Sequence, residues 1–301
     1  MAPPISATLY TDPGCPWAYS ETPALSVLRW RYPEMAWRLV TVGLTESAEE
    51  YERRGYTPAM MARGYAGFRR YGMPFATEPK PRVAATSRAC RAIVATRLRQ
   101  PELEVSVLRA LQFGWFTTPL VLDEDEAIAT VLASLPGLDV AATVGAVDDP
   151  EVIAAYEADK AEARRAAGGP TEFQGKARNS DGQVRYTAPS VVLDDGSGRR
   201  LEAGGFQPVE AYDVLIANFP DPPARREPPE SPLEAIDFFR FPLTTQEIAA
   251  ILARGNDAPD RAAAELALIE LAAGGAVRRI PLGDDALWAA PEAVLTRARA
   301  A

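Results

Sequence analysis

Two rhythms of hydrophobic and polar positions divide the chain. Ile5 to Thr11 is β-prone, and the segment opening at Pro16 carries helical character to about Arg31, with Pro23 inside it as the expected site of a kink. Ala36 to Leu44, with β-branched Val40, Thr41 and Val42, reads as a second strand. From there the period is helical. Thr57–Tyr71 carries Met60, Met61, Tyr65 and Phe68 at helical spacing, Thr86–Arg99 carries Ala89, Ile93, Val94 and Leu98, and Glu102–Phe116 carries Val105, Leu108, Leu111, Gln112 and Trp115. Asp125–Leu135 and Asp149–Ala167 complete this block, and the polar, glycine-rich span Gly168–Tyr186 reads as a long loop. Ser190–Leu193, a turn at Asp194–Gly198 and Arg199–Glu202 form a hairpin, after which Gly204-Gly205-Phe206-Gln207-Pro208 opens a helix to about Phe219.

Six prolines between Phe219 and Pro232 mark residues 220–232 as a semi-extended linker and a domain boundary. Residues 233–301 have their own pattern: a short helix over Leu233–Phe239, a capped helix start at Thr244 with Glu247 three residues on, a helix to Ala253, and a longer one over Pro259–Ala273. A hairpin of Ala276–Ile280 and Ala286–Ala289 follows, turning at Gly283-Asp284-Asp285. That order is the order of a winged helix-turn-helix. DNA binding does not fit its charge, since Arg240, Arg254, Arg261, Arg278, Arg279, Arg297 and Arg299 face ten acids, and the recognition-helix position holds Asp260, Glu265 and Glu270 against Arg261. Dimerisation or docking to another protein is the better expectation for 233–301.

The whole chain of 301 residues carries a net charge of −9, which argues against general nucleic-acid binding. Histidine is absent, so Ser–His and Cys–His catalytic pairs and the commonest metal ligand are excluded together, and no metal site is expected. Two cysteines far apart, Cys15 and Cys90, form no disulfide framework and point to a reducing, cytoplasmic setting. The start Met1-Ala2-Pro3-Pro4 lacks the basic and apolar regions of a signal peptide, and no stretch approaches the roughly 20 apolar residues of a membrane helix.

Chemistry concentrates at Cys15. It falls where the first strand gives way to a helix, with Pro16 at the first helical position, where its missing N–H costs nothing. Free N–H groups and the helix dipole there favour the thiolate and predict a pKa below the free value of about 8.5. The bland alternative is a small apolar residue in a turn. Cys90, mid-helix, is either a buried structural thiol or a resolving one. The Met- and aromatic-rich stretch from Met60 to Phe75 is either core or the adaptable wall of a cleft. Lys176, Arg178 and Arg185 are either solvated loop residues or receivers of an anionic substrate.

Asp12 to Tyr19 resembles the active-site segment of the DsbA-like branch of the thioredoxin superfamily, which includes DsbA, FrnE-type oxidoreductases, 2-hydroxychromene-2-carboxylate isomerases and kappa-class glutathione transferases. Redox members carry Cys-Pro-Trp-Cys-Tyr, whereas this chain reads Cys15-Pro16-Trp17-Ala18-Tyr19. Tyr186-Thr187-Ala188-Pro189-Ser190 is similar to the cis-proline loop of that superfamily, and Gly205-Phe206-Gln207-Pro208 to a segment of the FrnE-type proteins.

The resemblance implies an α/β thioredoxin fold over 1–219 with a helical insertion at about 46–168, followed by a small α+β winged-helix-like domain. It implies Cys15 as the catalytic residue, a cis peptide before Pro189, and substrate contacts from Pro16, Trp17, Tyr19, Arg185, Tyr186, Thr187, Ala188 and Pro189. The resolving cysteine is replaced by Ala18, so the implied activity is monothiol exchange with a small thiol or mixed disulfide. No cofactor is expected beyond a low-molecular-weight thiol as cosubstrate. Thiol-dependent isomerase or transferase chemistry and a non-catalytic scaffold are the alternatives.

Overall fold

A computed structural model describes residues 5–255 and 257–291; Met1–Pro4, Glu292, Arg297 and Arg299 lie outside the described residues. Strand β1 (Ser6–Thr11) runs into α1 (Pro16–Ser20), and α2 (Thr22–Arg31) leads to β2 (Ala36–Thr41). Pro23 has no N–H to give the carbonyl of Tyr19, and the predicted kink is a break between α1 and α2 at Glu21. The helical insertion comprises α3 (Ala48–Arg53), α4 (Pro58–Phe68), α5 (Ser87–Arg99), α6 (Glu104–Thr117), α7 (Asp125–Leu132), α8 (Val140–Gly145), α9 (Pro150–Ala163) and α10 (Pro170–Phe173). Helices α3, α8 and α10 are too short for periodicity to register. The span read as a long loop also holds a hairpin, β3 (Ala177–Asn179) and β4 (Val184–Tyr186), whose strands of three residues carry little pattern of their own. The chain then returns as β5 (Ser190–Asp194), β6 (Arg200–Gly204) and α11 (Val209–Ala217).

The main sheet has the order β2-β1-β5-β6, with β1 parallel to β2 and antiparallel to β5, so Cys15, the end of β2 and the loop entering β5 meet at one edge. The insertion is fastened to β2 by Asp159 of α9. Its Oδ2 accepts from the N–H and hydroxyl of Thr41 at 2.8 and 2.9 Å, and Arg97 of α5 donates to both its oxygens at 2.9 Å. Just past β2, Gly43 (φ +62°) lets the chain turn under Tyr156, whose hydroxyl would stand 2.3 Å from any Cβ there.

After residue 219 come α12 (Pro232–Phe238), β7 (Leu243–Thr244), α13 (Thr245–Leu252), α14 (Arg261–Ala273), β8 (Arg278–Leu282) and β9 (Asp285–Ala289), with sheet order β7-β9-β8. The proline-rich segment is pinned rather than free. The Arg226 N–H donates to Arg31 O at 2.8 Å, Trp30 Nε1 donates to Glu227 O at 2.8 Å, and the Arg226 guanidinium lies 3.6 Å from the Trp30 ring centroid. Val27 and Trp30 of α2 share one core with Ile236, Ile248, Leu268 and Trp288. Glu247, the third residue of the capping box on α13, is also fully buried against α6: Arg109 donates to its two oxygens at 2.7 and 2.9 Å, and Ser26 adds a third bond at 2.8 Å. On α14 the outward positions include Leu266, Ile269 and Glu270, while Arg261 is paired with Asp285 at 2.9 Å.

Candidate active site around Cys15

Cys15 is the N-cap of α1 (φ −88°, ψ 114°) and Pro16 its first helical residue, as the local sequence requires. The turn before it is built by Asp12, whose carbonyl accepts the Cys15 N–H at 3.2 Å and whose Oδ1 accepts the Gly14 N–H at 2.9 Å. Asp12 Oδ2 accepts from Leu44 N–H and Thr86 Oγ1, both at 2.9 Å, and from Cys90 Sγ at 3.5 Å. Gly14 is needed because a Cβ would lie 2.6 Å from Thr86 Cγ2 and 2.9 Å from the Trp115 ring. Asp12 is wholly buried and burial raises its pKa, so this carboxyl holds the loop, β2 and α5 together from one point.

The Ala188–Pro189 peptide is cis, and Ala188 O accepts a hydrogen bond from Cys15 Sγ at 3.0 Å. Burial pushes the Cys15 thiol up to about 12; the N–H groups of Ala18 and Trp17 and the charge of Arg185 pull it down, and Asp12 adds to the rise. The expected thiolate-favouring pKa is therefore corrected. The helix-start effect is present, but desolvation of a sulfur only 7% exposed outweighs it, and the resting thiol is protonated. Cys90 is 0% exposed, and burial, then Asp12, raises its pKa as well. The carboxyl beside Cys90 comes from Asp12, 78 residues away in sequence.

The predicted substrate residues separate into two groups. Trp17 is 40% exposed and, with Phe68, Tyr71 and Phe206, forms an aromatic surface with ring centroids 4.8–5.6 Å from its own. Pro16 and Thr187 are half-buried beside it, and Ala188 and Pro189 form the buried rim of the cis loop. Tyr19, Tyr186 and Arg185 differ from expectation. Tyr19 is fully buried, stacks on Phe116 at 4.8 Å and donates to Pro74 O. Tyr186 is buried, stacks on Tyr10 at 4.2 Å and donates to Glu202. Arg185, also buried, donates to Tyr186 O at 3.0 Å and to Ser180 Oγ at 3.3 Å, so its charge acts on Cys15 from a buried position rather than from a solvated loop. Lys176 and Arg178 are exposed.

Two further side chains escaped the sequence. Tyr51 of α3 lies within electrostatic reach of Cys15. Glu21, at the break between α1 and α2, is buried and accepts from Tyr212 OH at 2.7 Å and from the Gln207 N–H at 3.2 and 3.3 Å. Burial raises its pKa to about 8, against the lowering effect of those two bonds. Among the described residues no group of His, Cys, Asp and Glu could hold a metal ion, and no helix is long and apolar enough to cross a membrane.

Sheet order, cis-proline loop and helical insertion together define a DsbA-like thioredoxin fold with one thiol at the helix start. No family model matches the chain, and no curated protein matches it. Solved structures do. A protein disulfide isomerase candidate from Nitrosomonas europaea is 19% identical, with 71% of this chain and 96% of that one covered at a TM-score of 0.53. A probable DsbA oxidoreductase from Streptomyces coelicolor is 16% identical, with 75% and 100% covered at 0.53. The cytosolic disulfide reductase DsbM from Pseudomonas aeruginosa is 15% identical, with 70% and 91% covered at 0.47.

Proposed function

We propose that the protein is a thiol–disulfide oxidoreductase working through Cys15 alone on small thiols and mixed disulfides. The observation that carries this reading is Ala18: one helical turn past Cys15, where a dithiol enzyme keeps its resolving thiol, stands a buried methyl group. Cys90 is fully enclosed and hydrogen-bonded to Asp12.

The step is an exchange. Cys15 loses its proton as Sγ leaves the Ala188 carbonyl, with the N–H groups of Trp17 and Ala18 and the Arg185 charge favouring the anion. The thiolate attacks one sulfur of a small disulfide, a new S–S bond forms, and the other sulfur departs as a thiolate that takes up the proton. A second small thiol then attacks the mixed disulfide and regenerates Cys15, so electrons balance within two exchanges. Trp17, with Phe68, Tyr71 and Phe206, offers the apolar part of the substrate a surface, and Pro16, Thr187, Ala188 and Pro189 border the sulfur. Two free thiols accord with a cytoplasmic location.

A non-catalytic scaffold is the second reading, favoured by the raised pKa of Cys15. Intact-mass analysis after exposure to several small disulfides separates the two: adducts abolished by Cys15→Ser support exchange, and no adduct with any of them supports the scaffold. We read residues 233–291 as a winged-helix-like module. Its α14 presents no unpaired arginine for phosphates, and contact with protein rather than DNA is the use that fits.

A further inference from the structure

Helix α14 turns an apolar stripe outward. Its inner side is buried through Ala264 and Leu268, the latter in the core shared with Ile248 and Trp288. On the outer side Ala262, Leu266, Ile269 and Ala273 are all exposed, Leu266 at 66% and Ile269 at 47%. Their spacing of four, three and four residues is that of a seam along which one helix packs against another. We propose that this stripe is a docking surface for an amphipathic helix of another protein, one with an apolar seam and basic flanks. This deepens the reading of residues 233–291 as a protein-contact module and rests on it.

Charge selects the partner. At about 100° of rotation per residue, Glu265 falls on one flank of the stripe and Glu270 on the other. No ion pair among the described residues engages either acid. The one cation of α14, Arg261, is already paired with Asp285 at 2.9 Å. Basic flanks on an incoming helix would meet both carboxylates, whereas the phosphates of a nucleic acid would be repelled by them. A second copy of the chain would bring the same stripe with the same two acids and no cation to answer them. The surface is held ready, since the Asp260 side chain caps α14 by accepting from the Ala263 N–H at 2.9 Å. A seam of about three turns is small, which makes the contact a transient one.

The test uses the full chain and a fluorescent synthetic peptide with Leu along a helical seam and Lys on both flanks, which keeps the peptide from pairing with itself. Matched peptides carry Glu on the flanks or the same residues scrambled, and binding is read by anisotropy. The Lys-flanked peptide should bind about tenfold or more tightly than either control. Leu266→Ser, an exposed substitution whose thermal melt serves as a folding control, should weaken that peptide about tenfold. Glu265→Lys combined with Glu270→Lys should reverse the preference toward the Glu-flanked peptide, which general attraction of a basic peptide to a chain of net charge −9 would not do. No binding, or equal binding by the parent and Leu266→Ser, would overturn the docking site. A dimer in sedimentation that Leu266→Ser dissolves would give the stripe to a second copy and overturn it as well. Binding of a DNA duplex that Leu266→Ser abolishes would overturn the protein-contact reading of the module itself.

Discussion

The sulfur of Cys15 and the carbonyl of Ala188 are 173 residues apart in sequence and 3.0 Å apart in space, with the thiol donating. The carbonyl of the cis-proline loop is thus occupied by the Cys15 thiol itself. In the exchange proposed above, Cys15 gives up that bond, and a substrate entering beside Pro189 takes the place of the contact it breaks.

Alkylation should report this directly. With its pKa pushed up to about 12 by burial, Cys15 should react with iodoacetamide at pH 7 at least tenfold more slowly than a free cysteine, and its rate should still be rising at pH 10. Cys15 should nevertheless be labelled before the fully enclosed Cys90. A plateau below pH 9, or Cys90 labelled first, would contradict the geometry.

Arg185→Ala removes a buried cation that favours the thiolate. Both alkylation and disulfide exchange at Cys15 should slow, by about threefold or more, and the alkylation profile should move to higher pH. An effect on charged disulfides alone would mean that Arg185 acts on substrate instead.

Ala18→Cys places a thiol one turn from Cys15. Insulin reduction should rise at least tenfold over the parent, with a stability cost of about 1–3 kcal/mol for the extra atom in a packed site. A parent already as active as the variant would remove the monothiol mechanism.

Glu21 makes a pH prediction. Its folded pKa, about 8, stands above its ordinary 4.5, so its contribution to stability is complete below 4.5 and is lost as pH rises through 8. At roughly 1.4 kcal/mol per unit the loss is several kcal/mol, and Glu21→Gln should flatten the stability curve over that window. Denaturant melts of both proteins from pH 5 to 9 measure it. Parallel curves would rule the assignment out.

Glu247→Ala leaves Arg109 buried and unpaired, which costs about 3–5 kcal/mol. Calorimetry should show one transition, lowered as a whole, since α13 packs on α2 and α6 together. A second, separate transition for the C-terminal elements would show that they fold alone.

What the sequence disclosed depended on how local its cause was. The Cys15–Pro16 helix start, the break near Pro23 and the capping box of Thr244 and Glu247 follow from neighbouring residues, and each is present. The pairing of Glu247 with Arg109 and Ser26 joins residues 138 and 221 positions apart, and no short pattern encodes it. The pKa of Cys15 went the other way from expectation for the same reason: the helix-start effect is local, whereas burial depends on the cis-proline loop and the insertion. The β3–β4 hairpin and α3 were missed because strands of three residues and a helix of six carry too few positions to show a period.

Helix α2 has no exposed residue: all ten positions from Thr22 to Arg31 are at least partly covered, by the sheet on one side and by the C-terminal elements on the other. A shortened protein ending near residue 219 would therefore present Val27 and Trp30 to water as a fresh sticky face. The natural unit for expression, labelling or transplanting the Cys15 loop into another scaffold is the full length of the chain.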